Sequence, residues 1–105
     1  MTKGLKDWEH RIASAAQTVA SGTLLIGPVV LSVSFYLARP KSLPKKVRQH
    51  AKRPDLDKLI RGATDALTGI VWKDDAQVVT ILATKAYAST DAEAPRAEFE
   101  ITEVA

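Results

Sequence analysis

No cysteine occurs among the 105 residues, which excludes a disulfide framework, a cysteine-ligated zinc site and a thiol nucleophile and makes the cytoplasm the simplest location. A long apolar run is also missing. The most apolar stretch, Thr23 to Leu37, is interrupted by Gly27, Pro28, Ser32 and Ser34 and is too short to span a bilayer. The opening Met1-Thr2-Lys3-Gly4 leads into a charged amphipathic segment, so no signal peptide is expected and the protein should be soluble. There is no internal repeat and no low-complexity tract. A chain of this length makes one domain, residues 1–105, with a modest core, so partner surfaces are expected to help bury it.

Net charge is small, +3, but it is unevenly distributed. Residues 38–61 carry nine Lys or Arg against two acids, whereas residues 62–105 carry three basic and eight acidic residues. A basic segment beside an acidic half suggests a surface that faces nucleic acid, although a solvated basic loop has the same composition. Neither a membrane nor a small-molecule substrate is indicated.

Leu5, Trp8, Ile12, Ala15, Ala16 and Val19 share one helical face, which predicts an amphipathic helix from about Asp7 to Ser21. Trp8 reads as a packing residue and His10 as a surface histidine. From Pro28 the chain alternates, with Val29, Leu31, Val33, Phe35 and Leu37 on one side and Ser32, Ser34 and Tyr36 on the other, the pattern of a strand with one core face. Of its aromatics only Tyr36 is free for base stacking.

Arg39 to Arg53 has no apolar period, contains Pro40 and Pro44, and reads as a mobile loop or one that orders on binding. Within it His50 is a weak candidate for a general base or metal ligand. Leu59, Ile60, Ala63, Leu67 and Ile70 then recur at helical spacing. Pro54 and Asp55 open this helix and Gly69 closes it. Ala76 to Tyr87 reads as a strand apolar on both faces and therefore interior. In the last strand Ala97, Phe99 and Ile101 alternate with Glu98, Glu100 and Thr102.

The expected fold is α+β: a small mixed sheet, in the order helix, strand, helix, strand, strand, packed against two helices. A strand–helix–strand unit predicts a parallel crossover and the last two strands a hairpin. So few strands leave an exposed edge, for which dimerisation is the expected remedy.

The densest chemistry lies around the central helix. Asp55 and Asp57 fit capping and first-turn positions, where free N–H groups and the helix dipole favour negative charge. A second pair, Asp74 and Asp75, follows the helix. Four carboxylates close to a basic segment suit a hard divalent ion and phosphate chemistry, because Mg²⁺ takes oxygen ligands and a phosphodiester needs cations. Asp57, Arg61 and Asp65 lie four apart on one stripe, so Arg61 can pair with the acids or reach a phosphate. For Asp65 the favoured role is orienting Arg61 or capping nearby backbone.

Asp55-Leu56-Asp57-Lys58-Leu59-Ile60-Arg61-Gly62-Ala63-Thr64-Asp65-Ala66-Leu67, followed by Trp72-Lys73-Asp74-Asp75-Ala76-Gln77-Val78, resembles the RusA family of Holliday junction resolvases. The family's signature runs Asp-x-Asp-Asn-x-x-Lys-x-x-x-Asp-Ala-Leu and then Asp-Asp-Ala-Gln-Val. Lys58 stands where the family usually has Asn, and Arg61 where it usually has Lys; the family's opening strand is expected to be missing here.

The resemblance implies a Mg²⁺-dependent endodeoxyribonuclease, a homodimer that resolves four-way DNA junctions in recombination and repair. It implies Asp55, Asp57 and Asp75 as the catalytic acids, with Arg61 at the scissile phosphate, and Asp74 as a further metal ligand beside these three. Lys41, Lys45, Lys46, Arg48, Lys52, Arg53 and Lys58 are the expected DNA contacts. The alternative is a catalytically weak or inactive junction-binding protein of the same fold.

Overall fold

The computed structural model describes residues 24–104, and the helix expected over residues 7–21, with Trp8 and His10, lies outside the described residues. The chain from Val29 to Leu37 forms β1, in which Val29, Leu31, Val33, Phe35 and Leu37 are all buried, the row that alternation predicts. Helix α1, Leu56–Leu67, buries Leu59, Gly62, Ala63 and Leu67. Strands β2 (Val78–Tyr87) and β3 (Arg96–Glu103) complete a small mixed α+β fold, a three-stranded sheet with one helix among the described residues.

β1 is the central strand. It pairs in parallel with β2 and antiparallel with β3, so the strand–helix–strand crossover forms as expected, while the expected hairpin of the last two strands does not. The cause lies at the end of β2, where the Ala88 N–H donates to Leu37 O at 2.8 Å. The chain therefore turns across the end of β1, and β3 runs back along its far edge. There Ala97, Phe99 and Ile101 sit beside Phe35, Val33 and Leu31 and continue the buried row.

β2 is also not interior. It forms one edge of the sheet, and Val79 and Leu82 are 61% and 64% exposed. The register with β1 slips by one residue between Val29 and Val30, which leaves Val79 as an extra residue in β2. An apolar run on both faces therefore marks an edge with an uncovered outer surface, as far as the described residues extend.

The end of α1 is closed by contacts that sequence position alone does not reveal. Gly69 adopts φ +84°, a left-handed conformation favouring glycine, and its N–H donates to Trp72 O. Trp72 is fully buried, and its Nε1–H donates to Thr68 Oγ1 at 3.0 Å; that hydroxyl donates to Thr64 O at 2.7 Å. Leu25 clamps the turn from outside, with Leu25 N–H on Val71 O and Lys73 N–H on Leu25 O. Among the described residues no helix is long and apolar enough to cross a membrane.

Phe35 fills the centre of this core, so Phe35→Ala is expected to cost about 3–5 kcal/mol, whereas Leu82→Ser on the open face should change stability by less than about 0.5 kcal/mol. Urea denaturation of both variants checks this. Comparable losses at the two positions would mean that the outer face of β2 is covered in solution.

Candidate active site and nucleic-acid interface

Two acids stand at the head of α1. Asp55 occupies the N-cap position, and its carbonyl accepts the Leu59 N–H, but its carboxylate makes no capping hydrogen bond. Asp57 lies in the first turn. Both are exposed, and neither carboxylate has a hydrogen-bond or ion-pair partner among the described residues. Capping therefore does not occupy the Asp55 side chain. Arg61 and Asp65 are exposed too, and no ion pair joins Arg61 to Asp57 or Asp65, so the orienting role favoured for Asp65 is not realised among the described residues.

The second acidic pair is differently used. Asp74 Oδ1 accepts the Ala76 N–H at 2.9 Å and caps the short 3₁₀ turn Asp75–Gln77. Gln77 completes the capping box: its Oε1 accepts the N–H groups of Lys73 and Asp74, and its Nε2 donates to Leu25 O and Gly27 O. Asp75, in the first turn, is exposed and its carboxylate has no partner among the described residues. Of this pair only Asp75 keeps an uncommitted carboxylate.

The two pairs lie at opposite ends of β2. Asp55 follows a segment bonded to Lys85 near the strand's C-terminal end, whereas Asp75 precedes Val78 at its start. Val78 and Lys85 pair with Val29 and Phe35, six steps apart along β1, which is about 20 Å. Accordingly, among the described residues no three His, Asp or Glu side chains stand close enough to hold one metal ion. The donor chemistry of Asp55 and Asp57, hard oxygens free of competing hydrogen bonds, nonetheless fits Mg²⁺, which commonly binds through one or two carboxylates and keeps several waters.

The basic segment is pinned rather than free. Arg39 is only 8% exposed; its Nη1 donates to Val47 O (2.8 Å) and Ala88 O (3.5 Å), and its Nη2 to Pro44 O (2.6 Å). Its guanidinium also lies 5.9 Å from the Tyr87 ring centroid. Turns at Pro40–Leu43 and Pro44–Val47 follow, and Tyr87 N–H donates to Arg48 O where Gln49 bridges to Ala86. The segment expected to be mobile is thus stitched to the end of β2. Arg39, counted in the basic run, is a buried structural cation. Lys41, Lys45, Lys46, Arg48, Lys52, Arg53 and Lys58 are all exposed.

His50 packs its ring against Tyr87, centroids 4.7 Å apart, with Nδ1 buried and unpartnered among the described residues. Burial holds its pKa below the ordinary 6.5, and the Lys85 ammonium pushes it the same way. Sequence reasoning missed Lys85 and took Arg39 only as one more cation of the basic run. For Lys85 a signal existed: it has the parity of Ile81, Ala83 and Tyr87 and stands opposite buried Phe35, an unusual place for a lysine.

The family model described as endodeoxyribonuclease RusA matches residues 1–102. The uncharacterized protein YqaN of Bacillus subtilis (strain 168) is 34% identical over 109 residues, a match covering 94% of this chain and 74% of that protein.

Because the folded chain holds His50 below its ordinary pKa, it takes up that proton at lower pH than the unfolded chain does. The resulting stability is fully present above about pH 6.5 and is lost as pH falls through the lowered value. His50→Phe keeps a ring against Tyr87 and removes the titration, so its melting temperature should fall less than that of the unsubstituted chain between pH 7.5 and 5.5. Parallel curves for the two proteins would contradict this.

Proposed function

Because this chain belongs to the RusA family of endodeoxyribonucleases, we propose that it is a Mg²⁺-dependent, structure-specific endonuclease that resolves four-way DNA junctions by phosphodiester hydrolysis. The observation that carries this reading is the exposed Asp55 and Asp57 pair, whose carboxylates are free of capping bonds, in a chain that exposes seven cations between residues 41 and 58. The protein acts in the cytoplasm on branched DNA formed during recombination and repair.

Asp55 and Asp57 would hold the ion, with Asp75 of a second copy as the third ligand. When bound, Mg²⁺ lowers the pKa of a water for in-line attack and neutralises charge on the phosphate oxygens. Asp74, already committed to a cap, contributes less. Arg61, exposed and without an ion pair among the described residues, reaches the scissile phosphate. It stays charged throughout, so it stabilises developing negative charge and does not deliver a proton. Lys41, Lys45, Lys46, Arg48, Lys52, Arg53 and Lys58 hold the junction arms through their phosphates.

The separation of the acid pairs along β2 favours a site shared between two copies. In a homodimer with a two-fold axis, Asp57 of one protomer approaches Asp75 of the partner subunit, and symmetry gives two such centres, one for each of two symmetric cuts.

Cleavage of an end-labelled synthetic four-way junction in Mg²⁺, compared with EDTA, tests the function. Binding without products in any divalent metal would instead support an inactive junction-binding protein. Asp57→Asn should abolish cleavage while preserving or strengthening junction binding, and a rate within a few-fold of the unsubstituted protein would sink its role. Mixing Asp57→Asn with Asp75→Asn chains, each inactive alone, should restore nicking, since every heterodimer keeps one intact centre. A mixture that stays inactive after confirmed subunit exchange would refute the shared site.

Neutralising Lys45, Lys46 and Arg48 together should weaken binding and flatten its salt dependence by about 0.9 log unit for each phosphate that is no longer neutralised. An unchanged slope would assign the DNA to another surface.

A further inference from the structure

Lys85 is a half-buried charged residue in the row of Ile81, Ala83 and Tyr87, on the side of the sheet that β1 buries. It pairs with Phe35 across the parallel ladder, so its side chain leaves the sheet on the face that packs α1. The side chain is half-buried, so its ammonium gives up part of its hydration and gains from carbonyl acceptors within reach. It finds two: Nζ donates to Lys52 O at 2.6 Å and to Pro54 O at 2.9 Å. Both carbonyls belong to the short segment that enters α1, and Pro54 immediately precedes Asp55.

No side-chain cap restrains the start of this helix, since the Asp55 carboxylate makes none. The described bonds that fix the entry of α1 to the sheet are those from Lys85. The chain from Ala51 to Pro54 has no regular structure, and Lys52 and Arg53 are exposed. Without the Lys85 bonds, the head of α1 would keep its apolar anchor at Leu59 but lose the link that sets its height along β2.

We infer that Lys85 is a positioning residue for the Asp55 and Asp57 carboxylates: through the carbonyls of Lys52 and Pro54 it ties the head of α1 to β2 in the place where the two acids take a divalent cation. The inference rests on the metal role proposed above for these acids. An ammonium has three donors, and two are accounted for by carbonyls, so Lys85 acts through the backbone and is not assigned to the ion or the DNA.

The sign of the effect separates positioning from simple electrostatics. Removing a cation near a metal site lowers repulsion and should strengthen metal binding. Removing a residue that orients the ligands should weaken it, by about tenfold or more. The test titrates Mn²⁺ into ¹⁵N-labelled protein and follows paramagnetic broadening of amide signals in the unsubstituted chain, Lys85→Met and Lys85→Arg. Lys85→Met keeps the aliphatic stem and loses the donors; Lys85→Arg keeps the donors.

In the unsubstituted protein, broadening should centre on Asp55–Lys58. Lys85→Met should need about tenfold more Mn²⁺ for equal broadening, with β1 amide shifts unchanged, and Lys85→Arg should recover most of the loss. If broadening occurs at Asp55 and Asp57 but Lys85→Met leaves it unchanged or increases it, the positioning role is overturned while the metal reading stands. If the unsubstituted chain shows no broadening there, the metal reading of the pair fails, and with it the role given to Lys85. Should Lys85→Met disturb the β1 signals, Lys85→Arg alone decides: affinity within about threefold of the unsubstituted chain supports the inference, and a full tenfold loss despite retained donors overturns it.

Discussion

β1 is committed on one face and both edges at once: every second residue from Val29 to Leu37 is buried, and the strand is paired on one side with β2 and on the other with β3. A parallel neighbour cannot be reached by a tight turn, so the chain must cross from the end of β1 back to its beginning, and α1 makes that crossing. The helix therefore begins near the end of one strand and finishes near the start of the next. Asp55 and Asp57 lie at its head and Asp75 beyond its tail, so the helix and about 20 Å of strand lie between the two acidic pairs. The case for a second copy completing the site starts from this topology.

The cations divide in two by whether the fold gives them acceptors. Arg39 and Lys85 spend their donors on main-chain carbonyls, Arg39 on Pro44, Val47 and Ala88, Lys85 on Lys52 and Pro54. Between them they fix both halves of the segment from Pro40 to Pro54. The remaining cations of that segment stay exposed on a framework already folded. The phosphate-binding role proposed for these cations would cost less conformational entropy on such a framework than on a free loop.

The acids divide in the same manner. Asp74 is consumed by its capping box with Gln77, and Glu103 by the N–H groups of Ile26 and Gly27, at 3.1 and 2.7 Å. A Cβ at Gly27 would lie 3.1 Å from Glu103 Oε2, so a larger residue there would shift this carboxylate by a few tenths of an ångström. Asp55 stands where a cap would be expected and is not used as one. A carboxylate that leaves a nearby backbone donor unclaimed is available to an ion or to solvent, and that distinguishes the Asp55 and Asp57 pair from the structural acids around it.

The sequence by itself determined the buried row of β1, the extent of α1 with Asp55 at its start and Gly69 just past its end, and the alternation of β3. Each of these follows from a local period or a local backbone preference, and none depends on what the segment packs against. The sequence also marked Asp55, Asp57, Asp75, Arg61 and the seven exposed cations as the chemically notable residues. Only the tertiary structure decided that β3 pairs with β1 and that the doubly apolar β2 is an edge, because strand neighbours are chosen by long-range pairing that no local pattern encodes. It alone divided Arg39 and Lys85 from the exposed cations and Asp74 from Asp75. A charged side chain carries the same charge in either role, and what separates the roles is whether folding brings a carbonyl or an N–H group within reach.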